Sequence, residues 1–183
     1  MLSFFKLSRK KKEDLDVTIN KYVKSINDVI DSGFIEIKDF INENNNLNKS
    51  PGIKDDDIRW FRIIIILGNI NELKNYFEEP QALKMRDKII EDSLNYFKSS
   101  SSITMEHFID YSDFFNQLVS VHETSSKSMA YALFEKYEIN SCQVDLFRRK
   151  NEPNPVFVHE LKNLLSHFLW NWSDYLKKFK ISI

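Results

Sequence analysis

His159 and Glu160 open a pattern that, with a second histidine one helical turn on, would hold a zinc ion beside a general base. The fourth residue after His159 is Asn163, so the ligand pair is incomplete. His167 lies two turns beyond, too far along a straight helix to share one ion. Glu106, Asp110 and Asp113 follow one helical edge, a spacing that serves metal binding or acid–base chemistry in helical bundles. A di-iron site asks for Glu-x-x-His, whereas His107 directly follows Glu106 and points elsewhere. A solvated face is the simpler reading of this edge. Cys142 is the single cysteine, flanked by Ser141 and Gln143, with nothing local to activate a thiolate. Ser8-x-x-Lys11 matches a Ser–Lys dyad in spacing alone. Glycine occurs only at positions 33, 52 and 68, and phosphate-cradling loops need several glycines close together. We therefore expect no catalytic residue, no metal and no cofactor, and a protein that is not an enzyme.

Charge carries more information than any motif. Residues 1–12 hold Lys6, Arg9, Lys10, Lys11 and Lys12 and no acid. The last seven residues hold Lys177, Lys178 and Lys180 and no acid. Setting those eight cations aside leaves 18 basic against 27 acidic residues, so the formal net charge of −1 conceals an acidic body with basic ends. Complementary charge speeds encounter and discourages wrong partners, so an acidic body suits a basic protein partner. Duplex binding neutralises several phosphates at once, and the small basic spot at Arg148, Arg149 and Lys150 does not supply that. Nucleic acid is not an expected partner.

Two further surfaces follow. Asp55, Asp56 and Asp57 precede Trp60, which gives an acidic edge with an aromatic anchor. Trp170 falls about 200° from Phe168 at the 100° helical step, opposite the apolar stripe, where a tryptophan either packs into a second layer, the favoured reading, or anchors a partner together with Asp174 one turn on. Separately, residues 1–12 form a basic, apolar arm. Leu2, Phe4 and Phe5 could enter a headgroup region while Lys10, Lys11 and Lys12 meet anionic lipid, each nearby cation contributing about 1 kcal/mol. The plain alternative is a solubilising leader. Arg86 sits among Leu83, Ile90 and Phe97, where an arginine pairs with an acid or reaches outward past the apolar face.

These residues need elements to position them. A chain of 183 residues fits one domain and can bury a core without staples. Leu15, Ile19, Tyr22, Ile26 and Ile30 recur at three or four residues, a helix that Gly33 would stop. Phe34, Ile37, Phe40 and Ile41 mark a short second helix, and residues 42–52 a loop rich in Asn, Pro and Gly. Asp55 to Asp57 offer capping and first-turn anions for a helix over 58–67. Ile63 to Ile66 also suits a buried strand, but no partner strands are visible, so helix is favoured, with an interruption at Gly68-Asn69. Pro80 suits the first turn of the next helix. Thr104 begins a helix to about His122, apolar enough to be central, and another spans 124–137. Asn154-Pro155 starts a final helix running to about Phe179. The longest apolar run, Ile63 to Leu67, is far short of a membrane span of roughly 18 residues.

The sequence thus predicts an all-α single domain, an irregular bundle of six to eight helices over 13–183, preceded by the arm at 1–12. The bundle is expected to be built around the helices near 58–67, 105–122 and 155–179. The single cysteine and the lack of a secretory leader point to the cytoplasm, and the arm to the inner face of the membrane as an alternative placement there. The expected function is binding another protein, as an immunity protein or antitoxin neutralising a basic toxin does. The alternative is a peripheral membrane adaptor held by the arm.

Overall fold

The computed structural model describes residues 10–97 and 103–183. Eight α-helices and one short strand pair make up the regular structure among those residues, an all-α bundle as the sequence predicts.

Helix α1 (Leu15–Asn42) is one continuous rod, about 42 Å long at 1.5 Å per residue. Asp14 caps it, accepting a hydrogen bond from the Asp16 N–H at 2.8 Å. Its buried stripe runs from Leu15 through Tyr22, Ile30 and Phe34 to Ile41, so the two helices expected here are one. Gly33 does not end it. A methyl group there would lie 2.6 Å from Phe168 Cζ, so glycine lets an aromatic ring rest on the helix backbone. Beyond α1, the Asn42 side chain ties down the loop by donating to Ile53 O and accepting from Ile53 N, both at 2.9 Å.

A single 3-10 turn at Asp55–Asp57 leads into helix α2 (Ile58–Glu72), in which Phe61 to Asn69 are all buried. Ile63 to Ile66 are helical, as favoured. The helix passes through Gly68 and Asn69 without the expected interruption, because the Met129 side chain fills the space beside Gly68. Helix α3 (Glu79–Phe97) carries Pro80 in its first turn, and buries Met85, Ile89, Ile90 and Phe97. That stripe is rotated from the expected one: Leu83 is exposed, and Arg86 pairs with Asp87 at 2.8 Å on the surface.

Helix α4 (Met105–His122) is not central. Only Phe108 and Phe115 of it are buried. The centre belongs instead to helix α5 (Ser125–Lys136), which packs on α2, on α4 and on helix α7 (Pro155–Ser166). Its Ser125, Ser126, Ser128, Ala130 and Ala132 are all buried, and such small side chains let neighbouring helices approach closely. Periodicity counts large apolar residues, so it favoured α4 and overlooked α5.

The ambiguous stretch after α5 becomes a 3-10 turn (Ile139–Cys142) and the short helix α6 (Asp145–Lys150). Buried Gln143 organises it, accepting from Asn154 N at 2.6 Å and donating to Glu152 O at 2.9 Å, which sets the start of α7.

The expected last helix is two. After α7 the chain breaks at residues 167–171, then forms helix α8 (Trp172–Lys178). Asn69 of α2 holds the break. It donates to Phe168 O at 2.9 Å and accepts from Trp170 N at 2.7 Å. Asn171 caps α8 by accepting from Asp174 N at 2.9 Å. An apolar stripe spaced at three and four residues continues across the break, which is why the sequence hides it.

Strand β1 (Lys11–Asp14) pairs in parallel with strand β2 (Phe179–Ser182), Lys11 opposite Phe179 and Lys12 opposite Lys180. Lys11 and Lys12, assigned to the arm by sequence, therefore belong to the fold. Glu13 fastens the pair. It accepts from Lys21 at 2.5 Å, from Thr18 at 3.1 Å and from the Tyr175 hydroxyl.

Candidate functional site

The predicted site residues do not gather at one place. Asp55 and Asp56 are exposed. The Asp55 carboxylate accepts from Lys38 Nζ at 2.7 Å, and Lys38 also lies 3.4 Å from Asp39. Donating to Asp55 raises the lysine's affinity for its proton. Asp57 is a capping group: its carboxylate accepts from Lys54 N at 2.8 Å, and its carbonyl accepts from the Tyr137 hydroxyl at 3.0 Å. Trp60 is half-buried and does not stand free as an anchor. Lys136 Nζ sits 3.2 Å above its ring, Arg59 lies 5.2 Å from it, and His107 and Tyr111 pack beside it. Burial and then the charge of Arg59 lower the Lys136 pKa, and the Trp60 face offsets part of that cost by cation–π attraction.

Trp170 is half-buried and packs into an aromatic cluster, as the favoured sequence reading has it. Because α7 ends at Ser166, the 100° step cannot be carried to position 170. Its ring meets Tyr22 at 5.6 Å, Tyr175 at 5.7 Å and Trp172 at 6.2 Å. Asp174 does stay on the surface, held by Lys177 at 2.6 Å and by Asn171 at 2.8 Å, and the lysine lowers its pKa. Trp170 thus stands half-covered in the connection before α8, and Asp174 is exposed in the first turn of that helix.

What the fold does assemble is a larger acidic hollow beside Asp55. Glu36 and Asp39 of α1 and Glu43, its C-cap, stand at successive turns, and Glu160 approaches from α7. Asn44, Asn45 and Asn46 close one side, and Phe40 forms an apolar wall stacked on Phe157 at 5.9 Å. The hollow is open and measures about 570 Å³, with four carboxylates and no cation among its lining residues. Lys38 links its edge to Asp55 through Asp39. The spacing of Glu36, Asp39 and Glu43 was legible as one helical face. Glu160 was not, because only tertiary packing brings α7 beside the end of α1.

The basic ends also converge. The register that sets Lys12 opposite Lys180 joins the two chain ends into one patch with exposed Lys10, Lys11 and Lys178. Leu2, Phe4 and Phe5 lie outside the described residues. Among the described residues no helix is long and apolar enough to cross a membrane.

The reactive candidates are scattered. His159 Nε2 lies 3.2 Å from Asn163 Nδ2, and Cys142 is buried beside Ser141. No group of three or more His, Cys, Asp or Glu side chains is placed to hold a metal ion among the described residues. Comparison with protein-family models, with curated proteins and with solved structures finds no match to this chain.

Proposed function

We propose that this protein is a non-enzymatic binding module whose acidic hollow receives a basic segment of another protein. An immunity protein or antitoxin neutralising a basic toxin would work in this way. The observation that supports the reading is the hollow of Glu36, Asp39, Glu43 and Glu160 walled by Phe40, with Asp55 beside it. Carboxylates at the rim steer approach, and an aromatic wall receives the aliphatic stem of a lysine or arginine. A lysine- and arginine-rich model peptide, titrated while backbone NMR shifts are followed, tests it. Shifts centred on residues 36–46 and 160 that weaken with salt and vanish in Glu36→Lys/Asp39→Lys/Glu43→Lys are expected. Shifts elsewhere, or binding unchanged in that variant, would overturn the reading.

A second reading, a peripheral membrane adaptor at the inner membrane face, is favoured by the joined basic patch of Lys11, Lys12 and Lys180. Co-sedimentation with phosphatidylserine vesicles at low salt, lost in Lys11→Gln/Lys12→Gln/Lys180→Gln, is its expected signature. Protein that ignores such vesicles eliminates it.

A further inference from the structure

We propose that the paired strands β1 and β2 form a docking surface for a second copy of this chain, whose acidic hollow they enter, an inference that rests on the reading of that hollow as a receptor for basic segments. The strand pair carries an unbalanced charge. Its parallel register sets Lys12 directly opposite Lys180, and both are exposed. Like charges facing one another across a strand pair oppose the pairing, and an anionic surface relieves that repulsion. Burial alternates along β2: Phe179 and Ile181 are half-buried, whereas Lys180 and Ser182 are exposed, so Lys180 stands out from the side that packs on the fold. Lys11 and Lys178 are exposed next to them in the chain. Among the described residues none of these four lysines has a carboxylate within ion-pair distance.

The hollow supplies the complement. Glu36, Glu43 and Glu160 are exposed and have no cationic partner among the described residues, and Asp39 meets only Lys38, at 3.4 Å. Its open volume of about 570 Å³ and its Phe40 wall admit lysine stems with their ammonium groups at the carboxylates. Helix α1 keeps the two surfaces apart within one chain. Its first residue, Leu15, follows β1 directly, and Glu36 lies about 31 Å further along the rod. No lysine of the strand pair spans that distance, so the opposite charges meet only between copies. The two surfaces differ, so the contact is heterologous, and association continues past the first pair of copies or closes into a ring. A small interface dominated by exposed charge is weak and sensitive to salt.

Sedimentation equilibrium of the full-length protein tests this. One chain has a mass of 21.8 kDa. In about 0.02 M salt the average mass should rise well above that value as the concentration approaches about 0.5 mM, and it should return to it in about 0.5 M salt. Lys12→Gln/Lys180→Gln and, separately, Glu36→Gln/Glu43→Gln/Glu160→Gln should each weaken self-association at least tenfold. All five positions are exposed, so circular dichroism should show unchanged helix. Mixing the two variants should restore a complex of two chains and nothing larger, because one retains only the hollow and the other only the strand pair. Native protein that stays a single chain overturns the inference. So does either variant associating as the native chain does, or a mixture whose members stay apart. Native protein that remains a single chain yet shows the peptide-induced shifts at residues 36–46 and 160 overturns this inference alone, whereas the absence of both removes the reading of the hollow as well. A single chain that sediments with phosphatidylserine vesicles assigns the lysines to lipid and likewise overturns the inference.

Discussion

Gly33→Ala separates two physical roles of a glycine within α1. In an open helix the change stabilises by about 1 kcal/mol, since glycine has the greater backbone entropy to lose. Here the added methyl would lie 2.6 Å from Phe168 Cζ and 2.8 Å from Cε1. That ring is also held edge-on against Phe61, with centroids 5.2 Å apart, so it cannot simply swing aside. Overpacking of a filled site costs about 1–3 kcal/mol. The difference predicts a net destabilisation of up to about 2 kcal/mol. Phe168→Leu removes both offending ring atoms, and in that background Gly33→Ala should stabilise by about 1 kcal/mol. Urea denaturation of the four proteins in the cycle measures the coupling, and the sign reversal is its signature. If Gly33→Ala destabilises equally in both backgrounds, the ring is irrelevant. Position 33 would then be a strained helix end, as the sequence alone suggests, and the continuous α1 would be wrong.

Asn69→Ala should cost about 2–4 kcal/mol in the same assay, because it strands the Phe168 carbonyl and the Trp170 N–H inside the protein; a loss below 0.5 kcal/mol would mean another group holds the break. Trp170→Ala should lower stability by about 3 kcal/mol through loss of its contacts with Tyr22 and Trp172, and a variant as stable as the native protein would return Trp170 to the surface. Burial raises the Glu13 pKa, but hydrogen bonds from Lys21, Tyr175 and Thr18 outweigh it and hold the carboxyl below its ordinary value. Its stabilisation is therefore complete above the unfolded-state pKa and is lost as pH falls through the folded one. Glu13→Gln should flatten the stability profile below about pH 4.5, and an unchanged acid limb would contradict that role.

Leu15 to Ile30 and Asn154-Pro155 announced their helices, because apolar spacing and an N-cap are local signals. The sequence divides α1 in two because glycine at the end of an apolar run has the same spelling whether it caps a helix or accepts a ring. The break at 167–171 was missed because its cause, Asn69, lies about a hundred positions upstream in the chain. The same break turns the half-buried Trp170 ring toward Tyr22 and Trp172. Glu160 joined the acidic hollow through packing, and Trp60 proved to be covered by Lys136, a residue that spacing does not connect to it.

Sequence by itself determined the class of this protein: helices throughout, a core rich in Ile and Phe, an acidic body with basic ends and no complete reaction motif. Those features depend on the 3.6-residue period and on composition, which each segment carries alone. Tertiary structure decided which helix is central, where the last one breaks and that the two basic ends meet in a parallel strand pair. Each of these turns on contacts between residues distant in the chain, such as Phe168 on Gly33, Asn69 on Trp170 and Lys12 opposite Lys180, and such contacts leave no periodic trace.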